Sequence, residues 1–340
     1  MTRKIIFTTG SILFLGILFF SYDYYQRIFG EIVEEDAIIY IHTNDKIGDV
    51  KNILTEIIGE ETIFNWLAEK KNYIRPKAGK FSLLKGMSLN DLINLLRSGK
   101  QTPVKLTFNN QDSLEEFSGR ISQQIEIDSI TILNTFKDSL FLEKNKLTNA
   151  SVLEILIPNT YQVYWDTSAE KFRNRMLKEY RKFWNKERLA KARKLNMSAS
   201  EIMTLASIIQ KETSKVIERP IVAGLYINRL KRDIALQADP TIMYILKQQN
   251  KGFRKRVLFK DLKIKSPYNT YLNKGLPPTV IAMPDISSIK AVLNYTKHNY
   301  LYMCASSEKL GFHIFTNSLI QHNKNAMKYQ KWLNKQGINR

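Results

Sequence analysis

The chain has 340 residues, room for two or three domains and a proper core, with the 44% apolar and 25% charged content of an ordinary globular protein. Its single cysteine, Cys304, excludes an internal disulfide and any multi-cysteine metal site. With 52 basic and 32 acidic residues the formal charge is +20, an excess that attracts polyanions, but lysine scattered through Asn- and Ile-rich sequence explains it equally well. No RNA-binding aromatic signature, helix-turn-helix or zinc finger accompanies the charge, so nucleic acid is not an expected partner.

Arg3 and Lys4 precede a largely apolar run from Ile5 to Phe20 that no charge interrupts, with Tyr24 and Tyr25 beyond it. The run is long for a signal-peptide core, and no small-x-small cleavage site follows. It reads as an uncleaved transmembrane anchor over residues 1–25, with the N-terminus cytoplasmic and the bulk of the chain outside the inner membrane. Residues 26–36 read as a polar linker. Ile38–His42 is a strand candidate, Asp45–Ile58 and Thr62–Lys71 are helical, Lys80–Leu84 is a strand, Ser88–Ser98 a helix and Val104–Phe108 a strand. Gly79, Gly86 and Gly99 fall at turns, so residues 37–108 form a small α+β module with no catalytic cluster.

Residues 109–340 form a second, larger α+β domain. Helices are expected at Ser113–Ile125 and Ser129–Leu140, a short strand before Pro158, and one long basic helix over Ala169–Leu195. The basic run is a solvated face before it is a polyanion site. Ser198-x-x-Glu201 is a capping box opening a helix with Ile202, Leu205, Ile208 and Ile209 in one stripe. Measured from Glu201, Ile208 lies at about 340°, Leu205 at about 40° and Glu212 at about 20°, so Glu212 falls inside the apolar stripe. Gln210 and Lys211 fall outside it. An unpaired buried charge is costly. Glu212 therefore either pairs with Arg219 or Arg229, or is a carboxyl held partly protonated for acid chemistry. Further helices follow at Ile221–Leu230, Ile286–Leu293 and Asn317–Gln336, with strands at Tyr300–Ala305 and Phe312–Phe315.

Several segments resemble, in order, the MltG/YceG-like family of membrane-anchored endolytic murein transglycosylases. They are Ala206–Thr213, Glu218-Arg219-Pro220, Asn228-Arg229-Leu230, Leu236–Thr241, Tyr268–Tyr271, Gly275–Pro278, Tyr300-Leu-Tyr302, His313-Ile-Phe315 and His322-Asn323. The resemblance implies a LysM-like module at 37–108 and a catalytic domain at 109–340. It implies a lyase that cuts the peptidoglycan glycan strand between N-acetylmuramic acid and N-acetylglucosamine and leaves a 1,6-anhydro end. Peptidoglycan strands, the membrane and peptidoglycan synthases are the partners it suggests; no cofactor is implied. The catalytic glutamate of the family's Lys-Glu-Thr corresponds to Glu212. The chain departs from the family's usual pattern around Val152-Leu153-Glu154 and at Asn159, so no role is carried to those positions.

One carboxyl suffices for such a reaction: it protonates the departing oxygen, then takes the proton of the C6 hydroxyl that attacks C1. Gln237, Asp239, Thr241, Tyr268, Asn269 and Tyr271 have the amides, hydroxyls and flat rings that hold sugars, though a loop packed by its aromatics accounts for them as well. Asp239-Pro240-Thr241 equally suits a helix start. Glu218 and Arg219 read as a structural pair, with Asn228 another orienting residue. His313 and His322 fit no zinc spacing, and no Gly-x-Ser-x-Gly elbow is present.

Overall fold

The computed structural model describes residues 2–59, 62–249 and 257–336, with side chains from Thr9 onward. The elements run α1 (Thr2–Phe29), β1 (Ala37–Ile41), α2 (Ile47–Ile58), α3 (Phe64–Lys70), β2 (Gly79–Leu83), α4 (Leu89–Ser98) and β3 (Val104–Phe108). Next come α5 (Leu114–Ser122), α6 (Ser129–Phe136), α7 (Ser139–Lys144), β4 (Asn159–Val163), α8 (Ala169–Phe183), α9 (Lys186–Lys194) and α10 (Ala199–Glu212). The chain continues through α11 (Arg219–Lys231), α12 (Asp239–Gln248), α13 (Ile286–Leu293), β5 (Tyr302–Ala305), β6 (His313–Thr316) and α14 (Leu319–Lys335). The strands form two-stranded sheets, β1–β2, β3–β4 and β5–β6, so the mixed α+β class expected from the sequence is what forms.

Two compact units divide the chain. The first comprises 1–106, 123–127 and 161–168. Its antiparallel pair aligns Ile39 with Phe81, and Ile39, Ile41, Phe81 and Leu83 point into a core shared with Val50, Leu54, Phe64, Leu92 and Leu96. Helix α4 shows why such short elements hold. Ser88 accepts the Asp91 N–H at 3.2 Å, Asp91 accepts the Ser88 N–H in return, and Gly99 ends the helix at φ 71°, a left-handed turn that suits glycine. The expected linker is part of this unit. Ile28 and Val33 are buried in its core, because α1 continues to Phe29 and the chain then bridges to Ser88 from Glu31. Glu126 accepts from both the backbone N–H (2.7 Å) and hydroxyl (2.6 Å) of Thr43. Among the described residues no helix is long and apolar enough to cross a membrane.

The second unit comprises 107–122, 128–160 and 169–340. Phe117, Phe136 and Phe172 interlock in its core, with centroids 5.7 to 6.2 Å apart. Three expectations are corrected here. Ser129–Leu140 is not one helix, because Asp138 accepts the Phe141 N–H at 2.8 Å and starts α7 afresh. The basic helix breaks after Phe183, where Asn185 accepts the Arg188 N–H at 2.9 Å and starts α9. The residues before Pro158 form a 3-10 turn, Val152–Ile155, and the strand β4 follows the proline. Helix α10 begins as expected, with Ser198 and Glu201 capping each other, but it is no one-sided amphipathic helix. Every residue from Ile202 to Ile209 is buried. It packs on α11, α12 and α13, and on so enclosed a helix even Thr204 and Ser207 are covered. Ser207 satisfies itself by donating to Thr204 O (2.7 Å) and accepting the Ile281 N–H (3.1 Å).

Candidate active site

Glu212 is the last residue of α10. Neither Arg219 nor Arg229 pairs with it. The residue is half-buried as a whole, but its Oε2 is enclosed and has no hydrogen-bond partner. Burial, reinforced by the negative charge of Asp239, pushes the carboxyl up to about 7, while a hydrogen bond from Tyr226 opposes the rise. Tyr226 is a buried residue of α11, and burial together with the Glu212 charge holds its hydroxyl protonated, so it donates rather than accepts.

The segment after Glu212 is fastened tightly. The Thr213 hydroxyl donates to Glu218 Oε2 at 3.2 Å and accepts the Lys215 N–H at 3.1 Å. Buried Glu218 also accepts the His313 backbone N–H at 2.7 Å and faces His313 Nδ1 at 3.0 Å. Glu218 therefore ties the end of α10 to β6. The expected Glu218–Arg219 pair does not form: Arg219, at the start of α11, turns the other way and binds both oxygens of Asp285 at 2.9 and 2.7 Å. Adjacent residues at a helix start point in different directions, which is why sequence adjacency misleads. Gln210 is not on a solvated face. Its amide donates to Asp285 Oδ2 (2.8 Å) and to Ser288 Oγ (2.7 Å) and accepts from Arg219 (3.3 Å). Its side of α10 lies outside the apolar stripe but is covered by α13, whose start supplies these partners.

Around Glu212 the structure gathers some expected residues and disperses others. Asp239 opens α12 and is exposed, its Oδ1 accepting the Tyr271 hydroxyl at 2.5 Å. Gln237 is exposed, stands at φ 53°, and accepts from Arg229 Nη2 at 2.5 Å. Arg229 is buried; its Nε donates to Ala235 O (2.9 Å) and Nη1 to Leu301 O (2.8 Å). Its guanidinium lies over the Tyr302 ring at 5.6 Å, and Tyr302 stacks on His322. Burial and the Arg229 charge lower the His322 pKa, favouring the neutral ring.

Thr241 and Asn269 are internal braces. Thr241 is fully buried, bonded to Ala238 O (2.7 Å) and the Thr270 hydroxyl (2.9 Å). Asn269, also fully buried, donates to Leu262 O and Ile264 O and accepts the Tyr271 N–H. Tyr268 is half-buried, sharing a hydrogen bond with Thr279 (2.7 Å) and packing on Tyr244. Asn228 donates to His298 O at 2.7 Å and Tyr300 O at 3.1 Å, holding the segment before β5. Tyr226 is a site residue absent from the sequence expectations. Its signal was a lone phenol inside the apolar stretch Val222–Ile227, where a buried hydroxyl needs a partner.

The sequence pattern of the YceG-like family matches residues 39–328. An endolytic murein transglycosylase of Bacillus subtilis (strain 168) is 30% identical over 327 residues, covering 90% of this chain and 89% of its own. Another, from Streptococcus pneumoniae (strain D39), is 29% identical over 84% of this chain, which spans about half (55%) of that relative. The crystal structure of a yceG-like protein from Listeria monocytogenes superposes with a TM-score of 0.58 at 30% identity, covering 85% of this chain and 98% of its own.

Proposed function

The chain belongs to the YceG-like family, and on that footing we infer that it is an endolytic murein transglycosylase, a lyase acting on the glycan strand of peptidoglycan. Glu212 is the catalytic group of this reading. The single observation that carries it is the enclosed, unpartnered Oε2 of a carboxyl raised to about 7, so that a substantial share of molecules hold a transferable proton near neutral pH.

That proton goes to the oxygen between N-acetylmuramic acid and N-acetylglucosamine as the C1–O bond breaks. The carboxylate then takes the proton of the muramoyl C6 hydroxyl as its oxygen attacks C1, closing the 1,6-anhydro ring without water. Tyr226 steadies one carboxylate oxygen, and its bond favours the ionised form created midway. Exposed Asp239 lies close enough to affect Glu212 and puts negative charge beside the site, where an oxocarbenium-like centre gains from it. Exposed Asp239 and Gln237 and half-buried Tyr268 and Tyr271 are the side chains this reading offers to the sugars, with Asp239 and Tyr271 the ones whose charge interactions reach Glu212; Thr241 and Asn269 support them from inside.

Residues 1–25 serve as a single-pass anchor in the plasma membrane, with the bulk of the chain extracytoplasmic. The apolar run from Ile5 to Phe20 supports this, as do the outward faces of Leu13, Phe14, Leu15, Phe19 and Phe20 in α1. The module at 37–108 acts as a LysM-like wall-binding unit. Cutting nascent strands near the membrane limits their length and makes peptidoglycan synthases natural partners.

The test is release of anhydro-muropeptides from purified murein by the full chain and by Glu212→Gln. The native protein releases them and the variant loses at least a hundredfold in rate, the usual scale for removing a general acid. Equal release by both overturns the role of Glu212, and release of reducing ends in place of anhydro ends overturns the lyase chemistry.

A further inference from the structure

Away from Glu212, the second unit carries a cleft of about 500 Å³ between α7 and α8, whose cations are Lys144, Arg173, Lys178 and Arg181. Its volume is that of a small-ligand site. Four lining residues are cations and one is a carboxylate, and that carboxylate is already engaged: Asp138 caps α7 and lies 3.6 Å from Arg173. Arg173 is the most enclosed of these cations. It is largely buried, lies over the Phe141 ring at 4.2 Å and donates to Thr135 O at 2.8 Å, yet its Nε is enclosed with no partner. Asn145 accepts from Arg181 at 2.9 Å and steadies that guanidinium at the rim. Nearby cations are neutralised locally: Arg175 pairs with Glu179 at 2.9 Å and Lys137 with Glu115 at 2.8 Å. Lys144, Lys178 and Arg181 face no carboxylate in the cleft beyond Asp138.

Beside these charges the lining is apolar. Phe141 is buried, Leu177 half-buried, and Leu140 is 74% exposed at the first turn of α7. An exposed leucine next to unpaired cations is the pattern of a surface that takes an anionic group and an apolar group together.

We propose that the α7–α8 cleft binds the headgroup of an anionic phospholipid, with the phosphate among Lys144, Lys178 and Arg181 and the first carbons of the lipid against Leu140, Phe141 and Leu177. A purely polar polyanion would use the cations and leave Leu140 in water. This site is independent of the reading of Glu212.

The test uses the full chain in nonionic detergent micelles doped with either phosphatidylglycerol or zwitterionic phosphatidylcholine. Backbone hydrogen exchange is followed over 138–145 and 173–181. Phosphatidylglycerol slows exchange in these segments and phosphatidylcholine does not. Each surface cation contributes roughly fivefold to attraction for anionic lipid, so Lys178→Gln with Arg181→Gln weakens the effect at least tenfold. Exposed side chains are changed, so the thermal transition of this variant matches the native one. Glycerol 3-phosphate and inorganic phosphate are the headgroup-only arms, and they bind at least tenfold more weakly. Equal protection by both lipids overturns the site, as does protection that survives the double variant. Phosphate binding as tight as phosphatidylglycerol overturns the lipid as occupant.

Discussion

Glutamine at position 212 removes the charge and keeps the shape, which turns the burial of this carboxyl into a measurable stability. In the native protein burial and Asp239 raise the group from 4.5 to about 7. The folded chain therefore holds this proton more tightly than the unfolded chain. Below about pH 4.5 both states are protonated and the carboxyl costs the fold nothing on this account. Between about pH 4.5 and 7 the unfolded chain gives up this proton while the folded chain keeps it, so stability falls relative to the amide variant, and the loss is complete once the folded state carries the buried anion above about 7. A tenfold change in proton affinity corresponds to about 1.4 kcal/mol, so the rise from 4.5 to about 7 corresponds to at most about 3.5 kcal/mol. The half-exposure of the rest of the residue lets water reduce this. In a unit of this size each kcal/mol moves the melting temperature by roughly 2–4 °C. Thermal unfolding of the native chain and Glu212→Gln, in one detergent from pH 5 to pH 9, reads the difference directly. Taken relative to pH 5, the variant gains several degrees by pH 8 and levels off above it. A gap that stays constant across this range refutes the buried-charge account, because loss of a neutral contact carries no pH dependence.

Other substitutions separate the roles of the surrounding groups. Asp239→Asn removes one of the two influences that raise Glu212, so the basic limb of the pH–rate profile for anhydro-muropeptide release moves to lower pH. Tyr226→Phe removes the bond that favours the carboxylate, and the same limb moves to higher pH; an unmoved profile removes Tyr226 from the site. Thr241→Val strands the partners of a buried hydroxyl and costs about 1–3 kcal/mol by thermal unfolding, with KM for murein unchanged. A raised KM with unchanged melting would instead make Thr241 a sugar contact.

The elements with local causes were legible along the chain. Ser198–Glu201 announced a helix start through side-chain and backbone bonds three residues apart, and it forms; the helix expected from Ser88 starts on the same kind of reciprocal cap with Asp91. Helix breaks were harder. Asp138 and Asn185 restart α7 and α9 inside runs whose periodicity reads as continuous, because a cap competes with propagation one residue at a time. At the site, periodicity identified Glu212 as the odd carboxylate of α10. It misjudged Gln210 and the Glu218–Arg219 pair, because both depend on elements far along the chain: α13, with Asp285 and Ser288, and β6, with His313.

By itself the sequence determined which carboxylate stands against apolar neighbours, and through its ordered motifs the family and the reaction class. Those are properties of residue identity and spacing. Only the tertiary structure decided that Glu212 keeps an unpartnered oxygen while Glu218 is consumed by His313 and Thr213, and that Tyr226 donates to it. It also decided that Thr241 and Asn269 brace the loop from within while Asp239 and Gln237 reach its surface. The physical reason is that a polar side chain is free for chemistry only when no other part of the fold satisfies it, and those competing partners come from chain segments that no local pattern connects.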